Sequence, residues 1–235
     1  MTPEFLVPRR PAAKKVETLA SPILQLKVGL LDISPMIWRR VLVPASFTLQ
    51  ELHGVIQVAM GWESFHLYYF HIRAVQYGSF DLCVQFPDVA LAGFRFRKGA
   101  RFTYAYDMGD VWRHEIRVED GLEPSAGQCC PVCIGGAHGC PPEDCGGPAG
   151  YAERRLEAAG FDALEDLATL ADWVKDAVLD RRAELLEDAD RLAGLEEALD
   201  RMEARQPFLS SEFSRRAVNA RLRQGEHREL MHQQF

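Results

Sequence analysis

The chain has 235 residues and a formal net charge of −7, with 47% hydrophobic and 26% charged residues. This composition is typical of a soluble globular protein with one core of ordinary size. No apolar run approaches the ~20 residues that a membrane helix needs, and the N-terminus lacks the apolar segment of a signal peptide. We therefore expect a cytoplasmic protein without a membrane partner, in which residues 1–22 form a flexible tail.

The first ordered segments predict paired strands. Residues 24–30 place leucine or valine at every second position, which is the period of a half-buried strand. Ser34-Pro35 interrupts this alternation, and the segment 37–45 ("IWRRVLVPA") resumes it. The two segments therefore predict an antiparallel hairpin at the start of the domain.

The segment 48–61 predicts an amphipathic helix packed on the sheet. Thr48 and Glu51 have the spacing of a capping box, and Gly61 is a natural helix terminator. Residues 66–78 return to strand character, and residues 101–120 predict a hairpin that turns at 107–110. Residues 23–150 therefore predict an α+β domain, with a mixed or antiparallel sheet and one packed helix.

From residue 151 the apolar period becomes helical, which predicts an α-helical C-terminal extension over 151–235 that packs on the core. Acidic residues outnumber basic ones 16 to 8 between positions 151 and 205, and the tail after 206 is basic, which leaves a local nucleic-acid contact open. The apolar stripe of the extension should be buried, either internally or against a second chain in a homodimer. Four residues represent this stripe: Leu167, Val174, Leu192 and Leu199.

Five of the six cysteines lie in the segment 128–147. Cys130 and Cys133 have the C-x-x-C spacing that points two thiolates at one ion, and Cys140 and Cys145 would complete a closed, structural zinc site. This Gly/Pro-rich loop has little apolar surface to bury, so a structural zinc would stabilise it. The alternatives are buried free thiols and, third, a redox pair at Cys130 and Cys133. Two cysteines are expected to remain outside the site: Cys83 and Cys129.

Two glycine-rich turns carry a second candidate site, formed by Asp107, Asp110, His114, Glu143 and Asp144. If the turns meet, these side chains could hold a cation and serve a metal-dependent hydrolase. The structural alternative is that the aspartates are ordinary turn residues and that Glu143 and Asp144 cap the following helix. His114 shares a strand face with apolar residues, so we expect it to be buried and hydrogen-bonded. The deciding observation is whether Asp107 or Asp110 lies within metal-bridging distance of Glu143 or Asp144.

Four motifs in this order resemble the plasmid pRiA4b ORF-three-like family. Three of them occupy residues 37–70, 104–119 and 130–151, and the resemblance covers about residues 24–155. It returns at "PFLSSEFSRRAVNARL", where the family pattern falls on Phe208, Phe213, Asn219 and Leu222. Members are small α+β proteins of plasmids and of bacterial and archaeal genomes, some beside transposable elements. The resemblance implies this fold, and it implies no established activity or catalytic residues.

These observations lead to two functional hypotheses. The first is a non-enzymatic binding or accessory protein associated with mobile elements, with a structural zinc loop and a protein or nucleic-acid partner. The alternative is the metal-dependent hydrolase that uses the acid and histidine cluster on the two turns.

Overall fold

The structure is a computed structural model that describes residues 21–124, 129–209 and 212–232. The tail predicted over residues 1–22 lies outside the described residues, except for Ser21 and Pro22. No helix within these three ranges combines the length and the apolar character needed to cross a bilayer.

An antiparallel sheet of seven strands forms the centre of the described chain. Its strands are β1 (Ile23–Leu30), β2 (Trp38–Pro44), β3 (Tyr68–Ile72), β4 (Val75–Gly78), β5 (Arg101–Tyr106), β6 (Trp112–Leu122) and β7 (Val132–Ala137). The strand order is β4-β3-β5-β6-β1-β2-β7, and each neighbouring pair is antiparallel. The α+β prediction is confirmed, and the two hairpins predicted over β1–β2 and β5–β6 both form.

Six α-helices accompany the sheet in the described residues. They are α1 (Leu49–Met60), α2 (Gly147–Ala158), α3 (Phe161–Val174), α4 (Ala189–Leu209), α5 (Arg215–Gln224) and α6 (Glu226–Leu230). A π-helical turn over Lys175–Leu179 continues α3. Helix α4 extends through Pro207 to Leu209, although a proline inside a helix cannot donate a backbone hydrogen bond.

Helix α1 is the central packing element. The predicted capping box is present, since the Thr48 side chain accepts from the Glu51 amide and the Glu51 carboxylate accepts from the Thr48 amide. Almost every residue of α1 is buried, because α5 and α6 contact it as well as the sheet. A Cβ atom at Gly54 would lie 2.0 Å from the carbonyl oxygen of His227, so this position requires glycine for α6 to approach.

Strand β7 lies inside the segment that we predicted to be an unpaired cysteine-rich loop, and this part of the prediction is wrong. β7 pairs with β2 and forms one edge of the sheet. The Asn219 side chain binds this edge, because it accepts from the Cys133 amide at 2.8 Å and donates to the Cys133 carbonyl at 2.8 Å. The amide group thus satisfies edge hydrogen bonds that a further strand would otherwise make.

Helices α3 and α4 form an arm and contact each other. Between them, the buried carboxylate of Asp166 binds the guanidinium groups of Arg201, with Nη2–Oδ1 at 2.7 Å, and Arg205. The predicted apolar stripe is not buried within the chain, since Leu167 is 52% exposed, Val174 40% and Leu199 38%, and Leu192 is half-buried; the alternative of burial against a second chain stays a prediction. The reason is that α3 turns a different face, with Ala163, Asp166, Leu170 and Trp173, towards α4.

Candidate metal centre

The two glycine-rich turns meet beside the end of α1. The Asp110 carboxylate accepts a hydrogen bond from the Gly146 amide at 2.9 Å, which joins the β5–β6 turn to the segment 141–147. A Cβ atom at Gly147 would lie 2.4 Å from the carbonyl oxygen of Asp110, so the close approach of the two turns requires glycine there. From the other side, Trp62 Nε1 donates to the Pro141 carbonyl at 2.9 Å.

Three side chains converge at this junction: His66, Asp107 and Asp144, hereafter the trio. Each offers one ligand atom, and the three atoms lie within 4.8 Å of one another. Nε2 of His66 is 2.9 Å from Oδ1 of Asp144 and 3.7 Å from Oδ2 of Asp107. A carboxylate oxygen of Asp107 and one of Asp144 lie within 4.8 Å of each other, and this short distance is the observation that favours a metal site.

The two aspartates differ in their surroundings. The Asp107 side chain is 7% exposed, and its Oδ1 accepts from the Gly109 amide at 2.8 Å, which orients the carboxylate. Its Oδ2 points towards His66 at a distance longer than a hydrogen bond. The Asp144 side chain is 70% exposed and closes the trio on the solvent side. Both residues have positive φ, 60° and 57°, a conformation that aspartate tolerates better than most residues and that recurs at functional sites.

Glu143 lies next to the trio but its oxygens are used elsewhere. One oxygen accepts from the Glu63 amide at 2.9 Å, and the other accepts a short hydrogen bond from the Tyr106 hydroxyl. Burial raises the pKa of Tyr106, and the neighbouring Glu143 carboxylate raises it further, so the hydroxyl keeps its proton. Asp110 is engaged in the same way by the Gly146 amide, so neither acid is a member of the trio.

His114 belongs to the core and not to the site. It is fully buried, as predicted, and its ring packs against Trp62 and Tyr104. Burial lowers its pKa to about 3, so the ring is neutral at physiological pH. The backbone carbonyls of Tyr104 and Trp112 are hydrogen-bond partners of the ring and oppose the lowering of its pKa, although neither contact has regular geometry, so the predicted hydrogen bonding is not contradicted.

The cysteines remain dispersed. In the described ranges, the one group of three or more potential ligands within 4.8 Å is the trio, so Cys130, Cys133, Cys140 and Cys145 do not share a common centre. Burial raises the pKa of Cys140 to about 12 and that of Cys145 to about 11, so both thiols are protonated at neutral pH. These observations favour the buried-thiol alternative, and the four-cysteine zinc site stays a prediction.

The trio has a donor set that suits a divalent transition metal. Imidazole is a common ligand of zinc, whereas carboxylates also suit manganese. Three protein ligands leave coordination positions open for water and substrate, as in catalytic sites. A cleft of about 380 Å³ begins beside Glu143, which precedes Asp144, and is lined by Trp62, Glu63 and Pro142 among others. None of the three ligands is among the residues that line this cleft, which is related to the trio through Glu143, the chain neighbour of Asp144.

His66 was missed by the sequence reasoning. It lies 41 residues before Asp107 and 78 before Asp144, so no local spacing connects the three positions. The available signal was topological: His66 precedes β3, Asp107 follows β5, and these strands pair so that Tyr68 lies opposite Tyr106. Because β3 and β5 are antiparallel, the start of β3 and the end of β5 lie at the same end of the sheet, which brings His66 and Asp107 together.

Comparison with known proteins gives a family and no activity. The model of the family described as "Plasmid pRiA4b ORF-3-like protein" matches residues 22–202. Uncharacterized protein y4hQ of Sinorhizobium fredii is 38% identical over 161 residues, which are 66% of this chain and 82% of that protein. The crystal structure of MM3350, a protein of unknown function from Methanosarcina mazei, is similar with a TM-score of 0.54 and 32% identity, over 59% of this chain and 82% of that one.

Proposed function

The chain belongs to the plasmid pRiA4b ORF-3-like protein family, and on that premise we propose that it is a metal-dependent hydrolase whose ion is held by His66, Asp107 and Asp144. The observation that carries the proposal is the convergence of these three ligand atoms within 4.8 Å, from segments far apart in the chain. The ion would polarise a substrate carbonyl and lower the pKa of a bound water.

The cleft indicates the class of substrate. Among the described residues that line it, Glu63, Glu143 and Glu212 carry negative charge, and none is lysine or arginine. Such a lining disfavours phosphate esters and other anions, because like charges repel in a space partly shielded from water. We therefore propose neutral or cationic esters and amides as substrates.

Calorimetric titration of the metal-stripped protein with Zn²⁺ and with Mn²⁺ tests the site. We expect one ion per chain, and we expect Asp107→Asn to weaken binding ~100-fold or more, since the ligand charge is lost. Asparagine also tolerates positive φ and can accept from the Gly109 amide, so the turn should remain folded.

Asp110→Asn is the matched control, because it removes the same charge from the same turn at a residue outside the trio. It should retain the ion, and metal-dependent hydrolysis of p-nitrophenyl acetate should be lost in Asp107→Asn and retained in Asp110→Asn. If the protein binds the metal but hydrolyses no neutral or cationic ester or amide, the proposal that it is an enzyme is wrong. If it binds no metal, the proposed metal site is wrong as well.

The second candidate is a non-enzymatic binding or accessory role, which includes association with mobile elements. It is favoured by the apolar side chains that α3 exposes, among them Leu164 at 63% and Leu167 at 52%. A protein that binds no metal and hydrolyses no ester, yet associates through this helix, would support this role. The six cysteines are unpaired, which supports a reducing compartment such as the cytoplasm for either role.

A further inference from the structure

Helix α3 has two apolar faces, and α4 covers one of them. Ala163, Leu170 and Trp173 are partly buried towards α4, together with the ion-paired Asp166. The second face carries large side chains that are 40% to 79% exposed: Phe161, Leu164, Leu167, Val174, Val178 and Leu179. A helix that is apolar on two sides is normally covered on both.

The exposed face has the spacing of a helix-pairing seam. Positions 164, 167, 171, 174 and 178 alternate steps of three and four, which is the heptad pattern that packs one helix along another. Large residues occupy both ends of this seam, and the small, exposed Ala171 occupies its middle. The seam therefore allows the closest helix approach at its centre.

The surface is large enough for a stable interface. If an exposed aliphatic side chain contributes roughly 100 Å² and phenylalanine roughly 200 Å², the exposed fractions of these six side chains correspond to about 450 Å² of apolar surface on each copy. A standard interface removes about 800 Å² per partner, of which slightly more than half, or about 450 Å², is apolar. The whole exposed face supplies that amount: Leu164, Leu167, Val174 and Val178 of the seam give about half of it, and the flanking Phe161 and Leu179 give the rest.

We propose that the partner of this seam is α3 of a second copy, packed antiparallel about Ala171 in a two-fold dimer. Such an interface must be self-complementary. An antiparallel pair meets this condition, because Leu164 of each copy then lies against Val178 of the other and Leu167 lies against Val174, with Ala171 of both copies near the axis. The proposal concerns a surface apart from the trio and holds whether or not a metal binds.

Sedimentation equilibrium of the full chain over a range of concentrations tests the dimer. The wild type should have twice the chain mass of 26.5 kDa. Ala171→Glu should be monomeric, with at least a 100-fold weaker association, because two carboxylates would meet near the axis. Ala171 is exposed in the single chain, so helix content by circular dichroism should not change.

Thr169→Glu is the control, since it adds the same charge to an exposed position of α3 outside the seam. It should remain dimeric. A wild type that stays at 26.5 kDa up to ~100 µM, or an Ala171→Glu variant that associates as strongly as Thr169→Glu, would overturn the proposal. A monomer that instead binds another protein through this face would also overturn it.

Discussion

The cysteine segment and the trio are neighbours in the chain, since Asp144 lies between Cys140 and Cys145, but they differ in how their potential ligands are arranged. The segment concentrates five cysteines within the 17 residues Cys129–Cys145, yet places Cys133 on a strand and the others in the irregular segments before and after that strand. The trio draws single residues from three distant segments and brings their ligand atoms within 4.8 Å. In this protein, the positions at which strands and turns end therefore indicate a candidate metal site better than the density of ligand-type residues along the chain.

The physical reason for the difference is backbone pairing. β7 is held by β2 on one side and by Asn219 on the other, so the Cys133 backbone follows the sheet instead of a tight C-x-x-C turn. Asp107 lies just beyond β5, where its amide donates to the Leu67 carbonyl at 2.9 Å, and the turns that carry Asp107 and Asp144 are joined by the Asp110–Gly146 hydrogen bond. Four predictions can break or sharpen this contrast.

The largest expected effect is on metal binding by His66. His66→Gln should weaken the affinity for Zn²⁺ or Mn²⁺ ~100-fold or more, about 2.7 kcal/mol, because the imidazole ligand is lost. His71→Gln changes an exposed histidine on the neighbouring strand and should leave the affinity unchanged. Calorimetric titration measures both, and equal affinities in the two variants would remove His66 from the site.

The second effect concerns the buried His114. The pKa of His114 falls from about 6.5 in the unfolded chain to about 3 in the folded protein, so below pH 6.5 the unfolded state binds the additional proton. The stability due to the neutral ring is complete above pH 6.5 and is lost progressively as the pH falls towards 3. At pH 5 the loss is about 2 kcal/mol.

His114→Phe should therefore lose about 2 kcal/mol less unfolding free energy than the wild type between pH 7 and pH 5. Phenylalanine keeps an aromatic ring against Trp62 and removes two nitrogens that have no regular hydrogen bond to the described residues. Urea unfolding at the two pH values measures the difference. Identical pH dependence in the two proteins would show that His114 titrates in the folded state.

The third effect concerns the edge that keeps the cysteines apart. Asn219→Ala removes two hydrogen bonds to Cys133 and should reduce the unfolding free energy by about 1–3 kcal/mol. It should also speed proteolytic cleavage within residues 129–147. Asn219→Asp separates the two contacts, because its carboxylate can still accept from the Cys133 amide but sets an oxygen against the Cys133 carbonyl where Nδ2 donated, so it should be no less destabilising than Asn219→Ala. A variant as resistant to protease as the wild type would contradict the role of Asn219.

The smallest effect is expected for Cys133→Ser. The buried Cys133 thiol contacts the Gly135 carbonyl at 3.4 Å, and a serine hydroxyl can keep this contact. The cost should be about 1 kcal/mol of unfolding free energy, with unchanged metal affinity. A loss of bound zinc in this variant would instead favour the four-cysteine site predicted from the sequence.

Much of the fold could be predicted because its signals are local. The alternation in β1, the capping box of α1 and the turn between β5 and β6 each lie within a few residues. β7 could not be predicted in this way. Its sequence contains two glycines, and its backbone is held in place by hydrogen bonds to Asn219, 86 residues away. The apolar period of α3 was recognised, but the choice of which face meets α4 depends on the Asp166 ion pairs.

The candidate site divides in the same way. Asp107 and Asp144 were identified because Gly-rich turns are places where side chains can converge, whereas Glu143 and Asp110 were identified on the same ground and are bound to backbone amides. His114 was assigned to the core by the alternation of β6, and it is there. His66 required knowledge that β3 pairs with β5, which no residue near it encodes.

The most direct test of the account is the metal content of three purified proteins, measured by inductively coupled plasma mass spectrometry after dialysis against Zn²⁺ or Mn²⁺ and removal of free ion. These are the wild type, Asp107→Asn, and the double variant Cys130→Ser with Cys133→Ser. The account predicts one ion per chain in the wild type and in the cysteine variant, and none in Asp107→Asn. An ion that persists in Asp107→Asn and disappears from the cysteine variant would contradict it.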